Sequence, residues 1–168
     1  CHPDNFKGAS NLLFHQNDDG SFEGVSQRAG IAAAVGKGLG VSIADFDDDG
    51  WPDIFVANDS VMQFLFHNLK NGTFEETALL SGAAYDENGK TFAGMGVDAA
   101  DYDNDGKIDV LITALSNETY PLFRSNGDLS FTHVTTSSGV GQHTLLYSGW
   151  GARLVDLDND CLRDIFVA

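Results

Sequence analysis

This chain has few basic residues, few cysteines and no long apolar run. Nine Lys and Arg stand against 25 Asp and Glu, giving a formal net charge of −16 over 168 residues. There is no basic stripe, so nucleic acid is excluded as a partner: holding a phosphate backbone needs clustered positive charge. No apolar stretch reaches the roughly 20 residues of a membrane-spanning helix, so membrane insertion is not expected. No signal peptide and no initiator Met are visible. The two cysteines, Cys1 and Cys161, read as free or unrelated rather than bridged to each other. Helical periodicity is also scarce. Its one candidate, Gln27 to Lys37, is Ala-rich but interrupted by glycine, and it reads as loop.

Against these shortages stand 19 Gly, 12 Phe and a pattern of aspartates. Asp-x-Asp-x-Asp-Gly-x-x-Asp runs from Asp45 to Asp53 and again from Asp101 to Asp109. It runs once more from Asp156 to Asp164, with Cys161 in place of Gly. Each copy leads directly into an apolar run: Ile54–Ala57, Val110–Thr113 and Ile165–Ala168. Of the 25 acidic residues, 13 lie in these loops. Four carboxylates within nine residues repel one another, and an all-oxygen set of this kind suits a hard cation such as calcium. Three divalent ions would bring the net charge from −16 to −10.

Aspartates at positions 1, 3 and 5 can converge inside a tight loop. Gly at position 6 permits the turn, and position 7 can offer its carbonyl. An EF-hand would then need Glu at position 12, but here that position is Val56, Ile112 or Val167. The last carboxylate comes at position 9 instead. The expected ligands are therefore Asp45, Asp47, Asp49, the Trp51 carbonyl and Asp53 in the first loop. In the second they are Asp101, Asp103, Asp105, the Lys107 carbonyl and Asp109. In the third they are Asp156, Asp158, Asp160, the Leu162 carbonyl and Asp164. Cys161 must adopt the backbone conformation that Gly has elsewhere, at a cost of order 1 kcal/mol. Asp48 and Asp98 fall outside the ligand pattern and read as solvated.

The loops recur at steps of 56 and 55 residues, each preceded by Gly-x-Gly: Gly38-Leu-Gly40, Gly94-Met-Gly96 and Gly149-Trp-Gly151. Between them a second unit recurs, as Leu13-Phe-His15, Leu65-Phe-His67 and Leu122-Phe-Arg124, followed by a turn and Phe22, Phe74 or Phe131. One period reads as four strands: Gly40–Ala44, Asp53–Asn58, Gln63–His67 and Thr73–Thr77. Asn71-Gly72 is the hairpin signal before the fourth. Four short antiparallel strands per period are the signature of a β-propeller blade. The fold expected is all-β, with about three blades' worth of a partial propeller. A β-sandwich with coincidental acidic turns is the alternative. The first strand of each blade would line the channel, where Gly-x-Gly, Ala44, Ala99 and Ala100 suit a tight space.

The expected divisions are the end of one blade with its connection (1–37), a complete blade (38–93), a second (94–148) and the start of a further one (149–168). Three blades' worth should not close alone. The chain is thus read as part of a longer one, or as completing its ring with another copy.

These motifs resemble the FG-GAP or VCBS-type repeat of integrin α subunits and many secreted bacterial proteins. Phe92-Ala-Gly94 matches the family's Phe-Gly element, and the acidic pattern matches its calcium loop. Cys1-His-Pro-Asp4, Asn11–His15 and Asp19-Gly-Ser-Phe22 are similar to the cartilage acidic protein family and its bacterial relatives. The family's Gly-Ala-Pro element is absent. The resemblance implies a calcium-stabilised propeller, binding about three Ca2+ per chain. It implies an extracellular, cell-surface or periplasmic setting and a role in adhesion, protein or glycan recognition, or scaffolding.

Two other functions stay open. One is assembly or self-association through open blade edges. The other is a propeller-scaffold hydrolase or lyase, with His133 and His143 as the histidines that lack a repeat partner. His15 and His67 share a blade position and read as structural or solvent-facing. Asn58, Asn71 and Asn117 begin glycosylation sequons.

Overall fold

Strands form where β-branched and aromatic residues follow each acidic loop, and turns form where Asn or Asp meets Gly. The computed structural model describes residues 5–168, so Cys1 lies outside the described residues. The chain opens with β1 (Ala9–Ser10), β2 (Phe14–Gln16), β3 (Phe22–Gly24) and β4 (Val35–Gly36). β2 pairs with β3 and β1 with β4. Gln27 to Lys37 forms no α-helix, only a 3-10 turn at Ile31–Ala33 followed by β4.

Next comes a four-stranded antiparallel sheet of β5 (Gly38–Ala44), β6 (Asp53–Asn58), β7 (Phe64–Asn68) and β8 (Phe74–Glu76). A second follows, of β9 (Val97–Ala100), β10 (Asp109–Ile112), β11 (Leu122–Gly127) and β12 (Ser130–His133). The hairpin of β13 (Ala152–Val155) and β14 (Asp164–Val167) ends the described chain. In both four-stranded sheets the strands pair in chain order, as in propeller blades. The acidic loops join first strand to second in every blade.

The registers repeat as well. Ile54 pairs with Phe66 in the first complete blade, and Val110 with Phe123 in the second. Each of these second-strand residues directly follows the ninth residue of its loop. Two single helical turns, α1 (Ala78–Ser81) and α2 (Val140–Thr144), lie in the connections. They have no counterpart in the sequence reading, because four or five residues are too few to display a 3.6-residue period.

The main core lies between the two complete blades and includes Phe55, Leu65, Leu111, Ile112, Leu122 and Phe123. Phe46, from inside the first acidic loop, is buried there. Its ring meets Phe55 and Phe131 edge-on, at centroid distances of 6.4 and 6.0 Å. The loop is thereby fastened to the neighbouring blade as well as to its own. A smaller core, with Val25, Ile31, Phe64 and Phe66, packs the β2–β3 hairpin onto the first complete blade.

The inner strands are crowded, as the Gly-x-Gly pattern anticipates. A Cβ on Gly94 would stand 2.6 Å from Gln63 Oε1 and 2.9 Å from Asn58 O. The Gln63 side chain and the Asn58 residue whose backbone carbonyl it meets are fixed by their own bonds. Gln63 Oε1 accepts from Asn58 N at 2.7 Å, and Asn58 Oδ1 accepts from Lys37 N at 2.9 Å. Gly94→Ala should therefore cost about 2 kcal/mol by overpacking. Gly151→Ala, whose Cβ would meet only Ala168 Cβ at 3.9 Å, should stay within about 0.5 kcal/mol of wild type. Urea unfolding of the two variants checks this. Asn58 is fully buried, so its sequon is closed to glycosylation in the folded chain. Asn71 and Asn117 are exposed.

Candidate metal centres

Each acidic loop is built by its own carboxylates accepting its own N–H groups, and the pattern is the same three times. The position-1 aspartate accepts from positions 5 and 6. Asp45 takes Asp49 N at 3.0 Å and Gly50 N at 2.8 Å. Asp101 takes Asp105 N at 3.1 Å and Gly106 N at 2.9 Å. Asp156 takes Asp160 N at 3.2 Å and Cys161 N at 3.0 Å. The position-5 aspartate accepts from position 7: Asp49 from Trp51 N, Asp105 from Lys107 N and Asp160 from Leu162 N, at 2.9, 2.9 and 2.8 Å.

Position 9 ties the loop to the sheet. Asp53 Oδ2 accepts from Phe46 N at 3.1 Å, and its Oδ1 from Asn68 N on β7 at 2.8 Å. Asp109 repeats this with Tyr102 N at 2.9 Å and Ser125 N on β11 at 2.8 Å. Asp53 and Asp109 are buried, whereas Asp164 is exposed and accepts from Leu157 N at 3.0 Å.

The turn requires two left-handed residues. Position 6 has φ of 87° at Gly50 and Gly106 and 71° at Cys161, so Cys161 takes up the conformation of the glycine it replaces. Position 4 is left-handed too, at Asp48, Asn104 and Asn159, with φ of 59°, 60° and 62°. That explains Asp or Asn there, since both tolerate this region. Cys161→Gly should stabilise the ion-free chain by about 0.5 kcal/mol, the relieved strain exceeding the added chain entropy. It should also tighten cation binding at the third loop. Unfolding and titration of this variant check both.

Carboxylate oxygens converge in each loop. Asp45, Asp47 and Asp49 form one group, Asp101, Asp103 and Asp109 a second, and Asp156, Asp158 and Asp164 a third, all within 4.8 Å in each group. Asp53, Asp105 and Asp160 lie outside these groups; Asp53 converges instead with Asp47 and His67, and Asp105 Oδ2 is held by Lys107 Nζ at 3.0 Å. Asp49 Oδ2 is held in the same way by Lys70 Nζ at 2.9 Å. These lysine contacts lower both carboxyl pKa values.

The donors fit a divalent cation. Asp47 Oδ1 is buried and has no hydrogen-bond partner. Burial first, then the charges of Asp53 and Asp49, raise the Asp47 pKa. Burial pushes Asp109 up to about 6, against the pull of the Tyr102 and Ser125 N–H groups and with a further push from Asp103 and Asp105. Carboxylates held close and dry in this way are stabilised in their charged form by a bound cation.

A pH dependence follows for the ion-free chain. Asp109 binds its proton more tightly folded than unfolded. Its contribution to stability is therefore complete below the ordinary value of 3.8 and lost as pH rises to about 6. In EDTA, wild type should lose stability across that window relative to Asp109→Asn. Urea unfolding in a pH series measures the difference.

One reading from the sequence needs correction. Asp48 is exposed, but Asp98 is buried rather than solvated. It accepts from Arg153 Nη1 at 3.0 Å and Leu154 N at 2.8 Å, and so joins β9 to β13 of the next blade. For His67, read as structural or solvent-facing, the structure supports the structural alternative, its side chain being 22% exposed. Its Nδ1 lies 3.2 Å from Asp53 Oδ1 and 3.5 Å from Asp47 Oδ2. No local signal marked either contact: Asp98 meets a strand 55 residues on, and His67 meets its loop across the β6–β7 pair.

The histidines weighed for catalysis are not brought together. The His133 ring packs edge-on against Phe123 at 5.0 Å, and burial lowers its pKa. His143 lies on α2, lining a cavity of about 490 Å³ with Tyr120, Val140, Tyr147 and Ile165.

Comparison with known proteins gives the same picture. Over 87 residues, 52% of this chain, it is 38% identical to cartilage acidic protein 1 of Mus musculus and 37% identical to that of Homo sapiens. The matched segment spans only 13% and 12% of those proteins. The FG-GAP-like repeat matches three times, over residues 5–56, 45–112 and 101–167. Successive matches overlap at an acidic loop, so the loop that closes one repeat opens the next, and this chain belongs to the FG-GAP-like repeat family.

Proposed function

We propose that the chain is a calcium-braced recognition module of an extracellular or cell-surface protein. It would bind a protein or glycan ligand on its propeller faces, with a binding rather than a catalytic role. The observation that carries this is the convergence of three carboxylates in every loop, at positions 1, 3 and 5 in the first and at positions 1, 3 and 9 in the other two, with the buried Asp47 oxygen lacking a partner. Asp45, Asp47, Asp49 and Asp53 would hold the first ion with the Trp51 carbonyl. Asp101, Asp103, Asp105 and Asp109 would hold the second with the Lys107 carbonyl. Asp156, Asp158, Asp160 and Asp164 would hold the third with the Leu162 carbonyl. A bound ion supplies positive charge that offsets the mutual repulsion of these carboxylates. Sites on short surface loops suit the millimolar calcium of extracellular fluid. Family membership and the likeness to cartilage acidic protein 1 support the extracellular reading.

The repeat units of this proposal are 38–93, 94–148, and the partial units 1–37 and 149–168. The test is binding of the chain to arrays of glycans and of extracellular proteins, in calcium and in EDTA. Calcium-dependent capture of a defined ligand class supports the recognition role. Ligand-independent turnover of ester or glycoside substrates, lost on replacing His143, would contradict it.

A second reading, self-association, is favoured by one observation. Leu12, Phe14 and Phe166 are exposed in the two-stranded units, whereas their repeat equivalents Phe64, Phe66 and Phe55 are buried. Strands of the same kind would cover them. A sedimentation series shows whether a second copy does so: a concentration-dependent dimer or polymer supports self-association, and a monomer at all concentrations opposes it.

A further inference from the structure

The third strand of each complete blade places one residue over that blade's acidic loop, and the two blades differ there. By the shared register that residue is His67 in the first and Arg124 in the second. His67 Nδ1 and carboxylate oxygens of Asp47 and Asp53 all lie within 4.8 Å of one another. We propose that the first loop is a mixed nitrogen–oxygen site for a borderline divalent ion such as zinc, with Asp47, Asp53 and His67 as ligands, while the second loop remains all-oxygen. This rests on the reading of the loops as cation sites and adds a different ion class at one of them.

Three features carry the inference. The first is spacing. Donors about 2.0–2.1 Å from a tetrahedral ion stand roughly 3.3–3.4 Å apart; the observed separations from His67 Nδ1 are 3.2 and 3.5 Å. The second is burial: the side chains of His67, Asp47 and Asp53 are 22%, 14% and 1% exposed. Asp53 is fixed by the Phe46 and Asn68 N–H groups, and Asp47 keeps a buried oxygen without a partner. The third is the contrast with the second blade. A guanidinium is a permanent cation and offers no lone pair, so Arg124 cannot ligate a metal. Imidazole nitrogen beside carboxylate favours zinc and its neighbours over calcium, which prefers oxygen alone.

The competing account makes His67 a positioning residue that donates from Nδ1 to Asp53, with no contact to the ion. Calorimetric titration of the whole chain with zinc alone and with calcium alone separates the two. If His67 is a ligand, His67→Leu weakens zinc binding at one site by about tenfold or more and leaves calcium affinity within about twofold. Arg124→His then adds a second zinc site. Cobalt as a probe gives visible absorption bands that weaken in His67→Leu and grow in Arg124→His. Equal losses of zinc and calcium affinity in His67→Leu would reduce His67 to a positioning residue and overturn the proposal. Zinc binding that ignores both substitutions would overturn it as well. Calcium binding at all three loops without His67-dependent zinc binding refutes this inference alone. Absence of calcium binding, with His67-dependent zinc binding intact, refutes the calcium reading instead.

Discussion

Replacing Asp109 by alanine should destabilise the ion-free chain by about 2–5 kcal/mol. Its carboxylate is fully buried and accepts from Tyr102 N in the loop and Ser125 N on β11. Truncation leaves both N–H groups without a partner, and an unsatisfied buried donor costs about 1–3 kcal/mol. Asp53→Ala should behave alike, since Asp53 holds Phe46 N and Asn68 N in the same way. Asp164→Ala should cost only about 1 kcal/mol, because its carboxylate is exposed and holds the single Leu157 N–H. Urea unfolding in EDTA measures all three free of any cation. Equal costs at Asp109 and Asp164 would contradict the account of position 9 as a loop-to-sheet tie.

Calcium removal should have the larger effect. A ligand at 100 times its dissociation constant stabilises the folded state by about 2.7 kcal/mol per site. Three such sites give about 8 kcal/mol, as much as the whole stability of many domains. For a chain of this size, about 1 kcal/mol moves the melting midpoint by about 2–4 °C. Chelation should therefore lower it by about 15–30 °C. The loss should be largest at low ionic strength, where repulsion among the released carboxylates is least screened. Thermal melts in EDTA and in millimolar calcium check the magnitude.

The sequence displayed those parts of the molecule that are local and repeated. The acidic loops were legible because alternate aspartates followed by glycine leave few other backbone solutions. Their strand partners were legible because each loop runs directly into β-branched and aromatic residues. β6 matches the expected Asp53–Asn58, whereas β5 begins two residues before the expected Gly40. The Gly38-Leu-Gly40 segment thus lies within the strand, where the register shifts between its two glycines. What stayed hidden depends on contacts between strands, within a blade or across two. Asp98 looks like any surface aspartate until β13 brings Arg153 beside it. His67 reads as either structural or solvent-facing until the fold sets it against Asp47 and Asp53. His133 lacked a repeat partner and so invited a chemical role, yet its ring is packed on Phe123.

The central claim is that each acidic loop holds one cation through its own carboxylates. Calorimetric calcium titration of the wild-type chain and of Asp47→Asn, Asp103→Asn and Asp158→Asn tests it most directly. The account predicts about three ions for wild type and about two for each variant, with a matching drop in calcium-dependent melting midpoint. A wild-type chain that binds no calcium, or variants that all keep the wild-type stoichiometry and midpoint, would contradict it.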